Sequence, residues 1–176
     1  MKKEIRITGF GGQGVMLAGY IIGKAASIFD KRNATFVQSY GPEARGSACT
    51  AQVIISDDKI NYPYMRKQEV LVAMSQEGYD KYIDACDGDS IVLADKSLIE
   101  FEKKPDVAAF KTIPATQLAE KLGRRMVANI IMLGFFVAQT GLVTPEAMKE
   151  ALLTAVPAGT AGLNTSAYET GLNYKE

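Results

Sequence analysis

The chain has 176 residues and a mass of 19.0 kDa, a size at which one domain buries about 70% of its unfolded surface. Twenty lysines and arginines balance twenty aspartates and glutamates, and 47% of residues are hydrophobic. This is the composition of a globular chain without the surplus positive charge that neutralises nucleic-acid phosphates. Histidine is absent, which excludes a histidine-containing triad, a histidine general base and histidine-ligated zinc or haem. The two cysteines, Cys49 and Cys86, cannot supply the four thiolates of an iron–sulfur cluster, so any such cluster would sit on a partner.

The opening MKKEIRITGF carries charge and no apolar run of signal-peptide length, so a cytoplasmic location is expected. Glu4 to Thr8 alternate like a strand, and a glycine cluster separates them from a helical pattern over Gly14 to Phe29. Val15, Ala18, Ile22, Ala25, Ala26 and Phe29 fall near one face of that helix. Ala34 to Ser39 and Ala48 to Ile55 are β-rich segments joined by a short breaker-rich loop. A connection so short cannot hold a parallel crossover, so an antiparallel or bent pairing is expected there.

The middle repeats the rhythm: strand Val70 to Met74, helix Gln76 to Ala85, strand Ser90 to Ala94 and strand Val107 to Lys111. Pro114 opens a helix through Leu122. Met126 to Pro145 contain no charge, approaching a membrane span, yet Asn129, Gln139, Thr140 and two glycines interrupt them. A helix buried in a core or a subunit interface is the expectation there. Thr144, Pro145 and Glu146 form a helix cap, with the helix ending near Val156, and the glycine-, alanine- and threonine-rich tail after Pro157 is left unassigned. Strands alternating with helices behind a glycine turn predict a single-domain, three-layer Rossmann-like α/β fold with a mainly parallel sheet, spanning 1–176.

Gly9, Gly11 and Gly14 match the G-x-G-x-x-G spacing at a strand-to-helix turn, with Gly12 and Gln13 between them. Such a turn lets backbone amides and a helix N-terminus face a phosphate. It also serves helix–sheet packing alone, so both readings stay open. The second strand ends in Gln38, Ser39 and Tyr40 without the carboxylate that holds a dinucleotide ribose, which weighs against an autonomous NAD enzyme. No lysine with serine or threonine closes a Walker loop. A second loop, with Ser39, Tyr40, Gly41, Glu43, Arg45 and Gly46, should lie on the same rim as the glycine turn. Arg45 could grip a phosphate or carboxylate with its planar fork, Glu43 orient it, and Ser39 donate a hydroxyl; a solvated turn is the bland alternative.

Taken together, Gly-Phe-Gly-Gly-Gln-Gly (9–14) and Ser-Tyr-Gly-Pro-Glu-Ala-Arg-Gly (39–46) resemble the gamma subunit of 2-oxoacid:ferredoxin or flavodoxin oxidoreductases. The likeness extends through the strand from Ala48, the uncharged helix after Asn129 and the tail from Asn164 to Gly171, and is nearest to 2-oxoglutarate-type enzymes. It implies a non-catalytic subunit of a complex that oxidatively decarboxylates a 2-oxoacid with coenzyme A and passes electrons to ferredoxin. Thiamine diphosphate, magnesium and iron–sulfur clusters would lie on alpha and beta (thiamine-bearing) and delta (ferredoxin-like) partners. This chain would bind none of them, contributing an interface and part of the coenzyme A site through the two glycine-bearing loops. A purely structural interaction subunit, relying on the uncharged helix, and an independent nucleotide-binding oxidoreductase are the alternatives.

Cys49 and Cys86 read as small core or boundary residues rather than redox centres. Tyr62, Pro63 and Tyr64 read as a packed turn, with a partner-contact loop as the alternative. No membrane or nucleic-acid partner is expected. Self-association of the isolated chain is expected to use the apolar helix.

Overall fold

The computed structural model describes residues 1–39, 48–102 and 105–175. Among them, six strands form one sheet in the order β2-β3-β1-β4-β5-β6. The strands are β1 (Lys2–Phe10), β2 (Asn33–Ser39), β3 (Ala48–Ser56), β4 (Val70–Ala73), β5 (Ile91–Asp95) and β6 (Ala109–Ile113). β1, β4, β5 and β6 run parallel, while β3 pairs antiparallel with both β1 and β2. Of the antiparallel or bent pairing expected around the short loop, the antiparallel one is observed. The last strand lies two residues later than its β-rich pattern suggested.

Alternation along the strands divides the molecule into layers. Ile5, Ile7, Val53, Ile55, Val70, Val72, Leu93 and Ile113 face the larger core. Over it lie α1 (Val15–Lys24), α3 (Ala115–Lys121), α4 (Ala128–Thr140), α5 (Pro145–Ala155) and α6 (Ala161–Leu172). Leu71, Ala73, Val92 and Ala94 face the opposite side, where Tyr79 of α2 (Gln76–Tyr82) and Ile99 close a smaller core. Helices thus cover both faces of a mainly parallel sheet, the expected three-layer arrangement.

The chain ends its helices with the devices its sequence contains. Thr144 Oγ1 accepts from Ala147 N–H at 3.2 Å and donates to Asp30 Oδ1 at 2.7 Å, capping α5 and fastening it to the end of the first helix. That helix continues beyond Lys24 as a π-type turn over Ala25–Phe29, and Asp30 N–H closes on the Ala25 carbonyl at 2.9 Å.

Two readings that the sequence left open are resolved. The unassigned tail is helical: a 3-10 turn, Ala158–Thr160, leads into α6. And α4 presents no free apolar face, because every residue from Ala128 to Val137 is buried by the chain's own elements. It cannot serve as the surface for self-association or for a partner. A Cβ on Gly134 would meet the Tyr168 carbonyl and lie 2.6 Å from Leu172 N; one on Gly171 would meet the Ile131 carbonyl and lie 2.9 Å from Phe135 N. The two helices touch backbone to backbone through these glycines. Tyr168 is buried beside them and donates its hydroxyl to the Pro145 carbonyl at 3.0 Å. Burial, aided by the Glu146 charge, pushes its phenol up to about 12. No helix among the described residues is long and apolar enough to cross a membrane.

Candidate functional site: a crevice between β1 and β4

After β1 the chain turns into α1 on the larger-core face, and after β4 it turns into α2 on the other face. The carboxyl ends of these adjacent parallel strands therefore send their connections in opposite directions. That is a topological switch point, the place where open α/β sheets bind ligands.

Gln13 builds the floor of this crevice. Its Oε1 accepts from Phe10 N–H at 2.6 Å, its Nε2 donates to the Met74 carbonyl at 2.8 Å, and its own N–H donates to the Phe10 carbonyl at 3.1 Å. The expectation that the Gln13 amide is free for phosphate is thus corrected: that amide closes the turn, and the side chain ties the turn to β4. The glycines divide into two roles. Gly9 and Gly14 are packing positions, since a Cβ on Gly9 would lie 2.9 Å from Val15 Cγ2, and one on Gly14 would strike Asn129. Gly11 and Gly12 are exposed, with open space where a side chain would be. Gly12 has φ +93° and Gly14 φ +73°, a region that only glycine enters cheaply.

Two helix N-termini meet here. α1 starts after Gly14 with no side-chain cap and no acidic residue in its first turn; α4 continues from a 3-10 turn over Arg125–Val127, in which Val127 N–H donates to the Arg124 carbonyl and Ala128 N–H to the Arg125 carbonyl. Asn129 Nδ2 donates to the Gly14 carbonyl at 3.3 Å and holds the two starts together. The uncapped first-turn amides of α1, with the positive end of its dipole behind them, favour an anion. Beside them is Arg125, exposed, its guanidinium 3.9 Å from Glu120 Oε1 in a pair that solvent weakens. Gly12, Gln13, Met74, Thr116, Arg125 and Met126 line a cavity of about 170 Å³, below the roughly 300–1,000 Å³ that encloses a whole small ligand. It suits one charged portion of a larger molecule. Asp95, buried at the end of β5, is spent on structure: it accepts from Thr116 N–H at 3.0 Å, Thr116 Oγ1 at 2.6 Å and Ser97 N–H at 2.9 Å.

Ser39 ends β2 in the register Ser39–Thr50–Thr8. β2 runs in the same direction as β1, so Ser39 lies exposed on the same rim, about 10 Å from Thr8 by strand spacing. Tyr40, Gly41, Glu43, Arg45 and Gly46 lie outside the described residues. Arg125, Met126 and Thr116 were missed at the sequence level. The arginine pair before an uncharged helix was the available signal, since a basic group next to a helix start does not serve that helix's dipole. Cys49 is buried in β3 and Cys86 half-buried behind α2; burial raises both thiols above the ordinary range, so neither is poised as a thiolate.

An open α/β subunit with an anion-suited switch-point crevice and, among the described residues, no nucleophile poised in it is the class these features define. The family described as Pyruvate ferredoxin/flavodoxin oxidoreductase matches residues 4–174. The 2-oxoglutarate synthase subunit KorC of Methanocaldococcus jannaschii is 46% identical over 97% of this chain and 92% of its own length. A crystal structure of a keto/oxoacid ferredoxin oxidoreductase gamma subunit from Geobacter sulfurreducens superposes with a TM-score of 0.87 at 38% identity, covering 98% of this chain and 95% of that one. A 2-oxoglutarate:ferredoxin oxidoreductase from Magnetococcus marinus shares the fold, at TM-score 0.82 and 21% identity, over 97% of this chain and 30% of that one. The chain belongs to the pyruvate ferredoxin/flavodoxin oxidoreductase family, as a gamma-type subunit.

Proposed function

We propose that this chain is the gamma subunit of a cytoplasmic 2-oxoglutarate:ferredoxin oxidoreductase, formed as one domain over 1–176, and that its crevice binds the phosphates of coenzyme A. The substrate assignment is supported by the KorC relatives, 46%, 43% and 42% identical over 97% of this chain. The Magnetococcus marinus enzyme is described with 2-oxoglutarate, coenzyme A and succinyl-CoA bound. Alpha and beta subunits would carry thiamine diphosphate and magnesium, and a delta subunit the iron–sulfur clusters that pass electrons to ferredoxin.

The observation that carries the coenzyme A reading is the meeting of the uncapped α1 start and Arg125 around the open backbone of Gly11 and Gly12. Gly11 and Gly12 would let the pyrophosphate approach the main chain, the first turn of α1 would donate amides, and Arg125 would form a charge-assisted bond. Gln13 and Asn129 would hold that geometry without touching the ligand. Ser39, Tyr40, Gly41, Glu43, Arg45 and Gly46 would complete the rim. The chemistry at the oxo group would belong to the partners.

Gly11→Val tests this in the assembled complex. The position has room for a side chain, yet a branched one would shade the neighbouring amides. Calorimetric titration should show weakened coenzyme A binding with assembly intact; unchanged affinity would favour a turn that serves packing only.

A further inference from the structure

The sheet has one edge without a defence. β2, Asn-Ala-Thr-Phe-Val-Gln-Ser, contains no charge and no proline, while β6 at the other edge carries exposed Lys111. Charged residues and prolines are how natural edges avoid pairing with another strand.

The register shows which groups face outward. Asp57 N–H donates to the Met1 carbonyl at 3.0 Å, one residue beyond the Lys2–Ser56 pair, so odd-numbered residues at this end of β3 turn their backbone groups to β1. By the antiparallel alternation, Ile54 and Gln52 turn theirs to β2, where they oppose Thr35 and Val37. Ala34 and Phe36 therefore direct their N–H and C=O groups away from β3, toward an edge with no strand beside it among the described residues.

Both faces of this edge carry exposed apolar and aromatic groups. On the α1 side, Tyr20 and Ile28 are 47% and 53% exposed, and a groove of about 420 Å³ runs between them and β2, floored by Gly23, Ser27 and Ala34. On the other side Thr35 Oγ1 donates to the Pro63 carbonyl at 3.3 Å, flanked by the half-exposed, mutually packed rings of Tyr62 and Tyr64. The Tyr62-Pro63-Tyr64 turn is packed on β2 and also open to contact. Tyrosine is a residue that protein interfaces favour.

We infer that the β2 edge joins two copies of this chain, antiparallel about a two-fold axis at Thr35. Ala34 of one copy then pairs with Phe36 of the other, twice, giving four backbone hydrogen bonds and a continuous sheet across the dimer. A second copy fits this edge because an uncharged strand does not repel its own image. Phe36 packs on its own α1 at Gly19, and the small residues Gly23, Ser27 and Ala34 leave beside it on each copy a groove that the two-fold sets next to the exposed Tyr20 and Ile28. Lys24, the cation of the groove, already lies over the Tyr20 ring at 5.7 Å. The interface is isologous, so it closes at two. It is independent of the coenzyme A reading.

The test is sedimentation of the full-length chain, wild type and two variants. Ala34→Pro removes an outward N–H and leaves the β2–β3 bonds in place. Thr35→Cys sets two thiols opposite each other at a non-hydrogen-bonded pair, with Cα atoms about 4.5 Å apart, within disulfide reach. The expected result is a wild-type dimer, a folded monomer for Ala34→Pro, and a covalent dimer for Thr35→Cys under oxidation that leaves wild type uncrosslinked. A wild type monomeric up to its solubility limit, a dimer that survives Ala34→Pro, or a Thr35→Cys chain that crosslinks no more than wild type would overturn the proposal.

Discussion

Asn129 Nδ2 donates to the Gly14 carbonyl at 3.3 Å and stands where a Cβ on Gly14 would be. One contact thus sets both the distance between the starts of α1 and α4 and the identity of residue 14. Gly14→Ala should destabilise the chain by about 1–3 kcal/mol, through left-handed backbone strain and overpacking. Asn129→Ala opens the space, so the double variant should lose less than the sum of the singles, a coupling that thermal or urea unfolding of all four chains measures.

The contact between α4 and α6 reverses the usual sign of a helix substitution. Replacing an exposed helical glycine by alanine stabilises by about 1 kcal/mol. At Gly134 and Gly171 the added methyl meets backbone of the facing helix, so Gly134→Ala and Gly171→Ala should each lower stability, by about 1–3 kcal/mol on the scale of overpacked cores. Denaturant midpoints check the sign directly.

Glu4 supplies a pH dependence. Burial raises its carboxyl, but hydrogen bonds from Lys2 Nζ and from the Lys67 and Arg66 amides outweigh this and hold it below its ordinary value. A depressed carboxylate stabilises the fold above its unfolded value, and that contribution is lost as pH falls through the folded value. Glu4→Gln should therefore cost about 1–3 kcal/mol at neutral pH, and the difference from wild type should shrink in acid. Urea midpoints at pH 7 and below pH 4 read this; a difference that stays constant would count against the carboxylate's role.

Much of the sheet could be read from alternation and breakers. Ile5 and Ile7 against Glu4, Arg6 and Thr8 gave the first strand its two faces, and the short loop after Ser39 ruled out a parallel crossover. The tail was not legible because α6 packs through Ala167, Tyr168 and Gly171. Small residues that let backbones touch make a weak apolar stripe, and an alanine- and glycine-rich segment looks like a loop. α4 was recognised as buried, but not which elements bury it, since an all-round apolar helix looks the same in a core and in an interface. At the site, glycine spacing located the crevice yet could not separate packing glycines from open ones. Nor could local sequence bring Arg125 to a turn more than a hundred positions earlier, because only the meeting of α1 and α4 does so.

The most direct test of the coenzyme A reading is the steady-state dependence of the assembled complex on coenzyme A with Arg125→Ala. An exposed charge-assisted bond to phosphate is worth about 1.5 kcal/mol, roughly tenfold in affinity. The account predicts a KM for coenzyme A raised about tenfold, with turnover at saturating coenzyme A and the KM for the 2-oxoacid close to wild type. An unchanged coenzyme A dependence, or a collapse of saturated turnover with that dependence intact, would contradict it.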